Sequence, residues 1–310
     1  MVNPLAEFMR KPELCIKLPS NGNWYEDGFI DYTISGEVEV YPLLPRDELI
    51  MLNPDMLLSG EANIEILKSC VPAVKDPGKL LYPDANALIL AIQKASYGNT
   101  LSMNVVCPEC QKRAIELKTK EAIEEAESRG EIILHPQEME FDINQILECM
   151  TYLDKEYVVE LDNGLKVYVQ PNTLHDKMKY GLMKFNNDKI FSSFQNYNFE
   201  DSMENEESKK IRQEIHQCYL KMNELGNQII TSCIRQIKLP DETFVTDKEN
   251  IYEFITKTKS SEVSKINEKI QEINDIGLPP MLSYECGCCH YEWDEKFYGY
   301  NQVDFFGIGS

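Results

Sequence analysis

The chain has 310 residues, is 43% hydrophobic, and carries 52 acidic against 31 basic side chains for a formal net charge of −21. That length suits one large domain or two smaller ones with real cores. The charge argues against nucleic acid, whose phosphates need Lys and Arg, and against anionic membrane surfaces; it fits a dispersed protein or one with basic partners.

No apolar run approaches the roughly 18 residues that a membrane span needs; Ala87–Ile92 is a typical length. Met1–Arg10 lacks a long apolar core and Glu7 interrupts it, so no secretion signal is expected. The ten cysteines are therefore expected to stay reduced in a cytosol. Five of them (Cys15, Cys70, Cys149, Cys218 and Cys233) are scattered and read as core fillers.

Pro4–Met9 is a short apolar patch, either a docking arm or a frayed helical turn. Leu14–Leu18 alternates and predicts a strand, closed by the turn Pro19-Ser20-Asn21-Gly22. Gly36–Leu43 alternates again, a second half-buried strand. Three helices follow. Pro45-Arg46-Asp47-Glu48 opens the first and Gly60 stops it. Glu61–Val71 is the second. Asp84 is expected to cap the third, which runs to Tyr97 with Leu88, Ile89, Ile92 and Ala95 inward and Gly98 at its end.

Next comes Cys107-Pro108-Glu109-Cys110, and far downstream Cys286-Gly287-Cys288-Cys289-His290. Each cluster lies between runs that read as strands: Leu101–Val106 and Ala114–Leu117 for the first, Leu282–Glu285 and Tyr291–Trp293 for the second. Two thiolates spaced C-x2-C on a tight turn can reach one ion at about 2.3 Å, and four close a tetrahedron. This is the pattern of a zinc ribbon. Cys107, Cys110, Cys286 and Cys289 are the expected ligands of a structural zinc, with Cys288 or His290 as substitutes. Two other readings compete. The thiols could be buried apolar fillers. Or Cys107/Cys110 could be a redox dithiol, which needs a helix starting at the motif; Ala114–Leu117 reads instead as a strand.

Between the clusters, Thr119–Arg129 predicts an acidic helix that His135-Pro136 breaks. Tyr157–Leu161 and Leu165–Val169 flank Asp162-Asn163-Gly164, a strong hairpin signal. His175 sits at the start of a helix over 174–192 and reads as a cap or surface group. Residues 195–210 are polar and acidic, a lead-in to a long helix. There Ile211, Ile215, Cys218, Met222, Leu225 and Ile229 step by 4, 3, 4, 3 and 4, a heptad-like seam. The seam packs within the domain or against another chain, and Gly226 within it would permit close helix approach. Asp247–Lys257 and Ser260–Ile276 are two more helices. The C-terminus is aromatic, ending near Phe305 and Phe306, and predicts an interface or domain-junction contact.

If the two Cys clusters share an ion, the chain must leave the first and return. The expected fold is α+β: a discontinuous domain, residues 1–120 plus 278–310, closed by a zinc-ribbon-like element. A mainly helical insertion with one β-hairpin, residues 121–277, fills the middle. No G-x-S-x-G, P-loop or dinucleotide fingerprint occurs, and His135 and His216 have no local partner pattern. No catalytic site is expected.

Six stretches carry a resemblance: Leu18-Pro19-Ser20-Asn21-Gly22-Asn23-Trp24-Tyr25, Asp47-Glu48, Ala95-Ser96-Tyr97-Gly98, the two Cys clusters, and Asp304-Phe305-Phe306-Gly307. Together they are similar to the baseplate proteins of T-even-type contractile phages, the group that includes the baseplate hub assembly protein. The resemblance covers the first 120 residues and the last 30; the middle matches only in general plan. It implies a structural or chaperone-like assembly role at the central hub, with hub and wedge proteins as partners and no catalysis. It places the chain in the host cytoplasm during assembly or in the virion's tail baseplate. The alternatives from other classes are a thiol oxidoreductase using Cys107/Cys110 and a nucleic-acid-binding zinc ribbon.

Overall fold

The structure is a computed structural model, and it describes residues 5, 9–117, 119–194, 206–279 and 281–296. The α+β expectation holds. Ten strands and eleven α-helices form among these residues, with the strands in one four-stranded and three two-stranded antiparallel sheets.

The N-terminal half is built around one helix. Strands β1 (Leu14–Ile16) and β2 (Val38–Val40) pair antiparallel and lie on α4 (Tyr82–Tyr97). Residues 87–92 of α4 are all buried. A helix apolar on every side is one surrounded by protein, and each large aliphatic side chain here contributes about 2 kcal/mol by leaving water. The expected first helix is two: α1 (Pro45–Met51) and α2 (Pro54–Ser59). Pro54 ends the first, since the residue before proline avoids helical φ/ψ. Asn53 then caps α2 through its side chain. Helix α3 (Glu61–Cys70) completes the layer.

Asp84 is not the cap of α4. The helix begins at Tyr82, with Leu81 at the N-cap, and the wholly buried Asp84 carboxylate reaches across the fold. It accepts from the Ser20 backbone N–H at 2.8 Å and the Tyr25 hydroxyl at 2.6 Å. Tyr25 in turn accepts from the Leu81 N–H at 2.9 Å. The turn Pro19–Gly22 is thus tied to the start of α4. At the other end of α4, the Leu43 N–H donates to Ser96 Oγ and the Tyr97 hydroxyl donates to Glu48. Stretches that stand apart in sequence, Asp47-Glu48 and Ala95–Gly98, are therefore neighbours.

Strand β3 (Thr100–Val105) leaves α4 and pairs with β4 (Gln137–Asp142), a strand the sequence reading did not contain. Between them lie α5 (Pro108–Leu117) and α6 (Lys120–Ser128). Here Ala114–Leu117 is helix, not strand. Pro108 in the first helical turn and Glu109 beside it are helix-start features; a four-residue apolar alternation was too short to outweigh them. Helix α7 (Ile143–Glu148) follows, and β4 and α7 bury Phe141, Ile143 and Ile146 against the first core.

A second core surrounds the hairpin. Strands β5 (Tyr157–Glu160) and β6 (Lys166–Val169) pair as expected. The sheet then continues through β7 (Ile234–Lys238) and β8 (Phe244–Val245), so the single hairpin is in fact the edge of a four-stranded meander. Helices α8 (Leu174–Phe194), α9 (Glu206–Cys233), α10 (Lys248–Lys257) and α11 (Ser260–Asn274) accompany it. Ile266, Ile270 and Ile273 of α11 are buried against the sheet's Val167 and Ile237. The last described pair is the hairpin β9 (Met281–Glu285) and β10 (Glu292–Lys296).

Of the five scattered cysteines, Cys70, Cys218 and Cys233 are buried, whereas Cys15 and Cys149 are exposed. Cys15 is the middle residue of β1, and alternation turns it away from the core that holds Ile16. No helix among the described residues is long and apolar enough to cross a membrane.

Candidate metal centre

Two elements that meet only in three dimensions build the site. Cys107 immediately precedes α5, and Cys110 sits in its first turn, one helical turn before the buried Ala114. The Cys110 N–H donates to Cys107 Sγ at 3.5 Å, so a sulfur serves one of the helix's otherwise unpaired first amides. On the other side, the β9–β10 hairpin turns through Cys286–Cys289. Cys286 N–H donates to the Tyr291 carbonyl, His290 N–H donates to the Cys286 carbonyl, and His290 takes a positive φ of 53° to close the turn.

The four sulfurs of Cys107, Cys110, Cys286 and Cys289 all lie within 4.8 Å of one another. The separations are 3.7 Å from Cys107 to Cys289, 3.8 Å from Cys110 to Cys286, and 3.7 Å from Cys110 to Cys289. A tetrahedron with metal–sulfur bonds of about 2.3 Å has edges of about 3.8 Å. The donor set and these three edges therefore fit a four-thiolate metal ion. A disulfide, at about 2.05 Å, fits none of these contacts.

Cys288 and His290 stand outside the cluster. Cys288 Sγ donates to the Gly130 carbonyl at 2.9 Å, and the exposed His290 pairs through Nδ1 with Glu285 at 2.9 Å. The sequence alone had left both as substitutes.

A contributor that sequence reasoning missed is Gln137, the first residue of β4. Its Nε2 donates to Cys286 Sγ at 3.6 Å while its Oε1 accepts from the Gly287 N–H at 3.1 Å. One side chain thus grips both the sulfur and the backbone of the second turn. It stands there because β4 pairs with β3, placing Gln137 opposite Val105. The alternation Gln137-Glu138-Met139-Glu140-Phe141-Asp142 was the available signal.

The thiols are not equivalent. Burial pushes Cys107 and Cys110 up, Cys110 far above the usual thiol range. Burial opposes ionisation of Cys286 as well, but the backbone N–H groups of Cys289 and Cys288 and the Gln137 amide outweigh it and pull its pKa down to about 6. An anionic sulfur is thus already favoured at Cys286, and a cation among the four would favour the rest. Around them, Ala114, Ala126 and Ile132 form a small separate core, with Ile123, Leu134 and Trp293 packed on it. Trp293 stacks on Tyr284 at 5.4 Å, and Tyr284 meets Phe141 edge-on at 5.3 Å. That aromatic run joins the cysteine cluster to the first core.

The long-helix seam is partly covered from within. Cys218 is buried, and Ile215, Met222, Leu225 and Ile229 are half-buried on an α9 that packs against α8, α10 and α11. The side chain of Ile211, and all of Phe305 and Phe306, lie outside the described residues. A Cβ added at Gly226 would meet nothing within 4 Å, so close helix approach is not why a glycine stands there.

A family model described as T4 bacteriophage base plate protein matches residues 9–307 of this chain. No curated protein and no solved structure matches it.

Proposed function

Because this chain belongs to the T4 bacteriophage base plate protein family, we propose that it is a non-catalytic building or assembly protein of the central hub of a contractile-tail baseplate, with one structural zinc ion bound by Cys107, Cys110, Cys286 and Cys289. The family supports the baseplate role. The observation that carries the metal is the set of sulfur separations at 3.7–3.8 Å. A zinc ion there would close a loop of 176 positions, and such sites supply folding free energy on the order of 10 kcal/mol.

The proposed organisation is a discontinuous unit, residues 1–120 with 278–310, and an inserted unit, 121–277, with β4 and α7 of the insertion packed back on the first. The proposed partners are hub and wedge proteins, met through the unburied part of the Ile211–Ile229 seam and through Phe305 and Phe306. The chain is proposed to act in the host cytoplasm during assembly and, if retained, in the virion's baseplate.

Quantitative mass spectrometry of mature particles against infected lysate tests the role. A small fixed ratio to the tail tube protein supports a resident component. Abundance in lysate with absence from particles supports an assembly factor. Failure of the purified chain to capture any hub or wedge protein from lysate would end both readings.

One observation favours a second reading. Helix α5 does start at Cys107–Cys110, the local setting of a redox dithiol. Thiol titration separates the two: a metal masks four thiols until a chelator is added, whereas a redox pair cycles with dithiothreitol.

A further inference from the structure

The aromatic pair Trp24-Tyr25 is one of the chain's distinctive stretches, and Tyr25 is accounted for by Asp84. Trp24 is not. Its ring leaves the first core and stacks on Tyr157 of β5 with centroids 6.0 Å apart, so it is packed with the second core. There it forms one wall of a pocket of about 440 Å³, shared with Lys155, Tyr157, Tyr168 and Arg235.

Two features of this pocket point the same way. The Arg235 guanidinium lies over the Trp24 ring at 5.3 Å, held by the aromatic face and not by an acid. Neither Arg235 nor Lys155 has a carboxylate partner among the described residues, although acids outnumber bases 52 to 31. Two cations thus border one hollow, with the aromatic rings of Trp24, Tyr157 and Tyr168, apolar Val169 and polar Gln236 and Thr246 in the rest of its lining. A guanidinium resting on an indole keeps its outward N–H groups free, and those form a fork that matches a carboxylate. Glu156 is the one acid in the lining.

We propose that this pocket receives a carboxylate side chain from an acidic, aromatic-containing peptide segment of a partner protein, with Arg235 and Lys155 as its cationic contacts and Trp24 and Tyr168 as its apolar walls. The proposal goes beyond the baseplate role and is independent of the cysteine centre. Electrostatics is local here: the chain's overall negative charge is screened beyond roughly 10 Å, whereas a pair inside the pocket is not.

The test titrates the full-length protein with N-acetyl-Glu-Phe-amide, read by tryptophan fluorescence and by calorimetry. The arms are N-acetyl-Gln-Phe-amide and free glutarate. The Glu peptide is expected to saturate and to bind about tenfold or more tighter than either arm. Arg235→Gln and Lys155→Gln should each weaken it by about tenfold, and Glu156→Gln should strengthen it by removing a like charge. Circular dichroism of each variant checks that the sheet is intact. Equal binding of the Gln peptide, an unchanged affinity in Arg235→Gln, or no saturation by about 10 mM would overturn the proposal. Glutarate binding as tightly as the peptide would overturn the peptide assignment. Trp293 packs on the cysteine centre, so calorimetry, which does not depend on that ring, is run on the metal-loaded and the chelated protein and keeps failures of the two ideas distinguishable.

Discussion

Cys110 Sγ and Cys286 Sγ lie 3.8 Å apart although 176 positions separate them in the chain. One contributes from the first turn of a helix, the other from the turn of a hairpin, so each knuckle is half a site. Binding an ion here is expected to be inseparable from bringing β9 and β10 back to α5.

Purified protein is therefore expected to carry one zinc per chain. Removing it with a strong chelator should lower the melting temperature by about 10 °C or more. Cys110→Ser should lose the metal, whereas Cys288→Ser and His290→Ala should keep it. Elemental analysis of the three variants measures this. A Cys288→Ser protein that lost its zinc would move Cys288 into the ligand set.

Gln137 should behave as an orienting group. Gln137→Ala removes both the donor to Cys286 and the acceptor for Gly287 N–H, and is expected to weaken metal binding by about 10- to 100-fold. Gln137→Glu keeps the acceptor but sets a carboxylate oxygen against the Cys286 sulfur, so it should weaken binding at least as much as Ala. Competition against a chromogenic chelator gives the three affinities; equal values for all would remove Gln137 from the site.

Asp84 makes stability depend on pH. Burial pushes its pKa up from the usual carboxylate range to about 6, against the partial relief of its bonds from Ser20 and Tyr25. A carboxyl with a raised folded pKa stabilises fully below its unfolded value and loses that contribution as pH rises through the folded one. Stability from this group is thus expected to fall between about pH 4 and pH 6, by about 2–3 kcal/mol for a two-unit shift. Asp84→Asn should flatten that limb, so denaturant melts of both proteins at pH 4 and pH 7 decide it. Tyr25→Phe leaves the carboxylate and the Leu81 N–H each short of a partner, and should cost about 2–3 kcal/mol at pH 7.

Gly226→Ala is expected to stabilise the isolated chain by about 1 kcal/mol. The added methyl meets no neighbour, and alanine removes the entropic cost of glycine within α9. If the same variant assembles poorly while melting higher, the open face beside Gly226 is a contact with another chain. Unchanged assembly would leave it a surface of no consequence.

Much of this protein was legible from the chain alone, for local reasons. The Asn163-Gly164 hairpin, the helices ending at Gly98 and near Gly277, and the Cys286 hairpin follow from turn chemistry and apolar period, which act over a few residues. The C-x2-C spacing likewise named the four cysteines that the fold gathers. Other features were not local. Strand β4 exists because β3 offers it an edge; its own half-exposed alternation is a weak signal, and with it Gln137 was lost. Strand β7 depends in the same way on the edge of β6, and β8 on that of β7. Asp84 reads as a helix cap by residue type, and only the approach of Ser20 and Tyr25 makes it a buried tether. Cys288 meets the Gly130 carbonyl, 158 positions away, instead of joining the four-sulfur cluster. Spacing along the chain determines which groups are able to meet. Which of them do meet, and how burial then shifts their charge, was decided by packing between segments far apart in the chain, 64 positions for Ser20 and Asp84 and 176 for Cys110 and Cys286.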